Sequence, residues 1–281
     1  MSILVALVFW LACWALNAVL ARSRFAAHVS VRIAIPVLFG LAVLALWQGV
    51  VTGLSVPEVI LPAPKSIGAA IGANLPTLWA DFVQTIIKGA LSGYLLGAGS
   101  AFAVAVLVDR VPFLRAGLLP IGNFVAALPI VGIAPIMVMW FGFDWHSKAA
   151  VVVVMVFFPV LVNMVAGLSA SERMQRDLMA TWGGTYWQTL VKLRLPAAMP
   201  FLFNGLKIAA TLALIGAIVA ENFGSPTLGM GFRISTAVGQ LALPLVWAEI
   251  TVAALAGSVF YGFVTSIERI VTFWHPSQRG R

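Results

Sequence analysis

Residues 149–168 read AAVVVVMVFFPVLVNMVAGL, and residues 169–200 continue as SASERMQRDLMATWGGTYWQTLVKLRLPAAMP. The first stretch carries no charge and has the length of a helix that crosses about 30 Å of hydrocarbon. The second is too polar to span. Ser169 with Glu172, and Thr185 with Gln188, have the spacing of capping boxes and so predict two helix starts. Met174, Leu178 and Trp182 recur at helical spacing on one face, while Arg173, Arg176 and Asp177 fall elsewhere. Gly183-Gly184 interrupts the first helix. The second carries Tyr186, Trp187, Leu190 and Val191, and Pro196 is expected to end it, because proline has no amide donor and disfavours helix in the residue before it. Such a pair either packs on its own spans or presents apolar anchors to the groove of a partner.

The rest of the chain repeats the first pattern. Of 281 residues 62% are hydrophobic and 9% charged, with mean hydropathy +1.04. Soluble domains carry about 25% charged residues, so a soluble enzyme, a disordered chain and a disulfide scaffold are excluded; the single cysteine, Cys13, leaves no internal disulfide. Candidate spans are Leu4–Leu20, Ile33–Val51, Val83–Val108, Leu118–Trp140, Ala149–Leu168, Phe201–Ala220 and Leu245–Ile267. The expected fold is an all-α polytopic transmembrane bundle of six or seven helices. The loop from Thr52 to Phe82 is expected to hold a short helix begun near Ala63-Pro64-Lys65-Ser66. The organisation expected is an extra N-terminal helix (1–30), a second span with an outer loop (31–82) and a core domain (83–281).

Charge orients the spans. Arg22, Arg24 and Arg32, then Arg110 and Arg115, then Arg173, Arg176, Lys192, Arg194 and Lys207, then Arg269, Arg279 and Arg281 fall on one side: about 13 of the 17 basic residues. The positive-inside rule makes that side cytoplasmic, with the N-terminus outside and the C-terminus inside. The basic excess is spread among apolar runs, so it makes no nucleic-acid patch. The first apolar run precedes its basic residues, the reverse of a signal peptide's order, and is expected to be a retained span.

Other polar residues admit two readings each. Glu221, at the outer end of the sixth span, is either functional, as intramembrane carboxylates are by default, or a hydrated interfacial group or partner of Arg233. Glu249 is expected to be hydrated at an interface, Lys88 to snorkel outward, and Asp109-Arg110 to form an interfacial pair. Pro129 and Pro135 are expected to break two backbone bonds inside the fourth span, which then bends or lines a path with Met137 and Met139 as adaptable walls. Trp47, Trp79, Trp145 and Trp274 are expected interfacial anchors. Gly89, Gly93 and Gly97 permit close helix packing. Gly97-Ala98-Gly99-Ser100-Ala101 lacks the final glycine of a serine-nucleophile motif, and His28, His146 and His275 lie in separate loops, so no metal site is expected.

The loop at 169–200 resembles the coupling loop of permease subunits in binding-protein-dependent ATP-binding-cassette (ABC) importers. The pattern there is roughly E-A-A, three residues, G, nine residues, I, one residue, L-P. Asp177-Leu178-Met179 occupies the triplet, with Asp for Glu and larger residues for both alanines. Gly183 and Leu193-Arg194-Leu195-Pro196 follow at the matching spacing. Further segments are similar to the nitrate/sulfonate/taurine-type branch: Leu61-Pro62-Ala63-Pro64, Leu128-Pro129 to Pro135 with Trp140-Phe141-Gly142, Ala220-Glu221 with Leu228-Gly229-Met230-Gly231, and Glu268-Arg269 with Trp274-His275-Pro276.

The resemblance implies the type I importer permease fold in the inner membrane and ATP-driven uptake of a small organic solute. It implies as partners two ATPase subunits, an external solute-binding protein and a second copy of the chain, beside membrane lipid. The chain has no G-x-x-x-x-G-K-[ST] motif, so ATP and Mg would sit on the partner ATPase and this subunit would be no enzyme itself. The coupling surface would comprise Met174, Asp177, Leu178, Trp182, Gly183, Trp187, Leu195 and Pro196, and the path Pro129, Pro135, Met137, Met139 and Glu221. The branch handles nitrate, sulfonates, taurine, pyrimidine or thiamine precursors and riboflavin; an apolar path with few cations points to a neutral or aromatic solute. The alternative is an ion-coupled carrier working without an ATPase, which needs mid-membrane coupling sites and often paired repeats.

Overall fold

A computed structural model describes residues 3–23, 26, 28–126, 128–224 and 227–274. Among them there is no strand. The helices are α1 (Ile3–Arg22), α2 (Val29–Gly53), α3 (Pro64–Ala73), α4 (Leu75–Phe82), a π-helical segment (Val83–Leu91), α5 (Ser92–Arg110), α6 (Pro112–Ala126), α7 (Ile130–Phe141), α8 (Trp145–Ser169), α9 (Arg173–Thr181), α10 (Tyr186–Thr189), a second π-helical segment (Leu190–Arg194), α11 (Leu195–Gly224), α12 (Met230–Gly239) and α13 (Leu243–Val271). Among the described residues six helical stretches are long and apolar enough to cross a membrane: Ile3–Arg22, Val29–Gly53, Leu75–Arg110, Trp145–Ser169, Tyr186–Gly224 and Leu243–Val271.

The chain forms two compact units. The first comprises residues 1–78 and 234–251, the second residues 79–233 and 252–281. In the first, α1 lies along α2, with Ala6 and Ala42 buried where the two meet. The Gln48 side chain accepts the Lys65 N–H at 3.0 Å and so ties α2 to the start of α3, where Pro64 stands at the first helical position, the one place its missing donor costs nothing. Trp47 packs edge-on against Trp247, ring centroids 5.0 Å apart. Glu249 is fully buried, against the expected hydrated position.

The second unit is built on α5, α8 and α11. Hydrocarbon offers no hydrophobic drive between spans, so contact depends on close approach of small residues. Gly93 and Gly97 supply it between α5 and α8: a Cβ on Gly93 would stand 2.6 Å from the Ala149 carbonyl oxygen. Gly205 and Gly216 do the same for α11 against Val160 and Met155 of α8. The stripe Ala209, Ala213, Ala217 and Ala220 on α11 is fully buried, as are Val152, Val156, Val160 and Met164 of α8.

Four expectations need correction. The fourth span is two helices, α6 and α7, and Pro129 caps α7 with extended backbone (φ −68°, ψ 120°), so only Pro135 of that pair interrupts a helix. Pro196 does not end the second loop helix: the chain runs helically from Tyr186 to Gly224, because the π-turn at Leu190–Arg194 relaxes the register and puts Pro196 in the first turn of α11, where a missing donor is tolerated. Lys207 therefore lies inside α11 and pairs with Glu268 of α13 at 2.8 Å. Ser169 is the last residue of α8 and donates to Val165 O; the cap of α9 is Glu172, whose N–H is met by the Gln175 side chain at 3.3 Å.

Candidate functional site

The segment from α9 to α10 stands clear of the helix bundle. Met174 is 75% exposed, Leu178 50%, Trp182 76% and Trp187 54%. Four large apolar side chains are thus left in the open on an otherwise polar connection. Asp177 is exposed too and lies 3.9 Å from Arg173, one helical turn back. Gly183 closes α9 with φ +71°, a left-handed conformation that glycine adopts without penalty. Thr185 then opens α10 as expected: Gln188 N–H donates to its hydroxyl at 3.3 Å, and the Gln188 side chain accepts the Thr185 N–H at 2.8 Å. Leu195 and Pro196 are half-buried at the root of α11.

What fastens this segment is a node that the sequence reading missed. Asp109, at the end of α5, does not pair with its neighbour Arg110. Its side chain is 4% exposed and meets the guanidinium of Arg194 in two parallel bonds, at 2.7 and 2.5 Å. That fork geometry is the strongest an ion pair offers. The Tyr186 hydroxyl donates to the same carboxylate at 3.0 Å, and Arg194 Nε donates to Leu168 O of α8 at 3.0 Å. Arg110 instead lies 5.7 Å from the Tyr186 ring and 5.8 Å from that of Trp187, within cation–π range. Arg115 reaches Ser169 at 3.2 Å. The end of α5, the second π-helical segment and α10 meet at one carboxylate, and Arg194 links it to α8. The available signal was a lone acid at the end of a long apolar run.

A second polar cluster lies at the other end of the same helices, about 40 Å along α11 at 1.5 Å per residue. Glu221 is 1% exposed, against the hydrated reading. It accepts from the Thr85 hydroxyl at 2.8 Å and from the Gly231 N–H at 2.8 Å. Arg233 engages Asp81, Nε to Oδ2 at 2.8 Å. Lys148, at the start of α8, is 1% exposed and donates to the carbonyls of Asp144, at 3.2 Å, and of Phe143 and Gly224, holding the end of α11 to the α7–α8 turn. Asp144 caps α8 by accepting from the Trp145 N–H at 2.7 Å, and that bond holds its exposed carboxyl below the ordinary range. Lys88 is exposed, as a snorkelling lysine would be.

The residues expected to line a path are only partly brought together. Met137 is half-buried where α7 packs on α8 and α11, beside Ala134, Val151 and Ala220. Met139 is 76% exposed. Met137 also borders an apolar groove of about 470 Å³ whose aromatic rim is Trp140, Phe141, Trp145 and His146. Pro135 lies inside α7 and Pro129 at its start. Among the described residues no cluster of three or more metal-ligating side chains occurs; His275 lies outside them.

The comparisons agree with the fold. Residues 93–273 match the family described as "Binding-protein-dependent transport system inner membrane component". A Haemophilus influenzae protein named "Probable ABC transporter permease protein" is 33% identical over 80% of this chain and 91% of its own. The riboflavin transport system permease protein RibX of Chloroflexus aurantiacus is 30% identical over 83% of this chain and 87% of its own. The formylaminopyrimidine transport permease protein ThiX of Halalkalibacterium halodurans is 29% identical over 86% and 96%. Membership implies an ATPase subunit and a solute-binding protein as partners. With six apolar helices of spanning length among the described residues and a family match over most of its length, the chain belongs to the inner-membrane permease subunits of binding-protein-dependent ABC importers.

Proposed function

We propose that the α9–α10 segment is the surface on which the ATPase docks, and that the bundle passes a small neutral or aromatic organic solute from an external binding protein to the cytoplasm. The observation that carries this reading is the exposure of Met174, Leu178, Trp182 and Trp187 on a segment tied into the bundle at Asp109. Apolar anchors facing water are unfavourable unless a groove covers them. ATP and Mg bind on the ATPase, two copies of which pair with two copies of this chain, and the chain itself carries out no chemistry. The basic, docking end is cytoplasmic, which puts the N-terminus outside.

Pro129, Pro135, Met137, Met139 and Glu221 belong to the helices that wall the path. The solute class is supported by the apolar, aromatic-rimmed groove beside Met137 and by the similarity to RibX and ThiX, named for riboflavin and formylaminopyrimidine, which are both heteroaromatic.

Gly183→Pro tests the docking surface. Proline fixes φ near −65° and cannot follow the +71° turn. The variant is expected to insert into the membrane normally and to lose co-purification with the ATPase by at least about tenfold. Gly183→Asn, which tolerates the left-handed turn, should retain it. Undiminished capture of the ATPase by Gly183→Pro removes the docking role, and solute uptake under an ion gradient without ATP removes the importer reading.

A further inference from the structure

Three consecutive backbone amides at the start of α12 are each taken by a side chain from another helix. Asp81 Oδ1 accepts from Gly229 N at 2.7 Å, Thr85 Oγ1 from Met230 N at 2.8 Å, and Glu221 Oε2 from Gly231 N at 2.8 Å. The acceptors are themselves joined: the Thr85 hydroxyl donates to Glu221, and Asp81 pairs with Arg233. Asp81, Thr85 and Glu221 are between 0 and 1% exposed.

Apolar packing would hold a helix end without burying two carboxylates, a costly arrangement that survives only while every bond is made. Such a set is directional and fails together, which suits a contact that must open.

The middle acceptor lies on an element of irregular helical bonding. Thr85 is in the π-helical segment Val83–Leu91, which keeps its backbone bonds one residue out of α register. Returning the segment to α-helical bonding turns Thr85 about the helix axis relative to α5 and withdraws its hydroxyl from between Met230 and Glu221. The segment has room to repack: Phe82, Ile86 and Ala90 border an open apolar pocket of about 300 Å³, lined on the other side by Leu214 and Phe260.

We propose that Asp81, Thr85 and Glu221 form a releasable seal at the end of the bundle opposite the docking segment, with the π-helical segment as its hinge. The proposal rests on the importer reading, since a path with alternating access needs a closed state at that end.

The seal can be read by thiol accessibility. Cys13→Ala removes the chain's single cysteine, and Met230→Cys places a thiol at a fully buried position. The complex in proteoliposomes is treated with a membrane-impermeant maleimide on the face away from the docking segment. Labelling should be slow in this parent, roughly tenfold faster after Thr85→Val, which loses the hydroxyl bonded to a carboxylate, and slow again with Thr85→Ser. Trapping the complex with ATP and vanadate should change the rate by a similar factor.

Labelling indifferent to Thr85→Val overturns the seal. Labelling that responds to Thr85→Val but not to trapping overturns its part in the transport cycle. If no ATPase accompanies the chain, the importer reading fails, and the Thr85→Val and Thr85→Ser comparison still decides whether the seal exists.

Discussion

A single carboxylate carries much of the weight at the docking end. Asp109 is buried with its charge and survives there because Arg194 and Tyr186 satisfy it. Removing one partner of such a pair costs about 3 kcal/mol. Asp109→Asn should therefore raise transient release of the α9–α10 segment by on the order of a hundredfold. Limited trypsin digestion measures this, since cleavage at Arg173 and Arg176 requires the helical backbone of α9 to open. Cleavage should speed up in Asp109→Asn and slow again in the reversed pair Asp109→Arg with Arg194→Asp. Equal rates in wild type and Asp109→Asn would show that the node does not hold the segment. By sequence alone the expected partner of Asp109 is the adjacent Arg110. Adjacency was a poor guide because residues one apart do not face each other on a helix, while Arg194, 85 positions away in sequence, does.

Among elements, the contact of α5 with α8 is the most sharply specified. Gly93 and Gly99 lie on the same helix and differ only in what they face. A Cβ on Gly93 meets Ala149 O and Val152, whereas one on Gly99 meets nothing within 4 Å. Gly93→Ala should destabilise the subunit by about 1–3 kcal/mol through overpacking. Gly99→Ala should be neutral or slightly stabilising, since alanine is the better helix former. Thermal unfolding of the two variants in the same detergent checks the difference, and equal midpoints would refute the contact.

The glycine spacing was legible because close approach leaves a repeat in sequence. So were the spans and the α10 cap, which depend on local composition. The break between α6 and α7 was not, because apolar residues run through it and only Pro129 hints at a stop. Pro196 misled for the opposite reason: the π-turn that accommodates it leaves no mark in composition. The cluster around Glu221 was half visible. An acid at the end of an apolar helix stood out, but its partners Thr85 and Gly231 come from separate segments whose pairing only the fold creates.

At the scale of the molecule, the distribution of charge predicts how the chain lies in its membrane. With Cys13 replaced by alanine, a thiol at Arg173 should react with an impermeant maleimide only from the cytoplasmic face, and one at Ser55 only from the outer face. Both positions are exposed, so failure to label would not be a matter of burial. Reaction of Arg173→Cys from outside would invert the topology.

The helical stretch Tyr186–Gly224 is 39 residues long, about 58 Å at 1.5 Å per residue. Neither the π-turn nor Pro200 breaks it, so it behaves as one rod. The Lys207–Glu268 bridge pins that rod to α13 near its middle. A rod held there keeps its length and is free only to tilt as a unit if α8 tilts with it. Displacement of one tip is then answered by an opposite displacement of the other, about 0.5 Å at each tip for every degree of tilt. Were the rod to tilt with its fulcrum at Lys207, one mouth of the bundle would widen in the same stroke that narrowed the other, with no message relayed from side chain to side chain along the way.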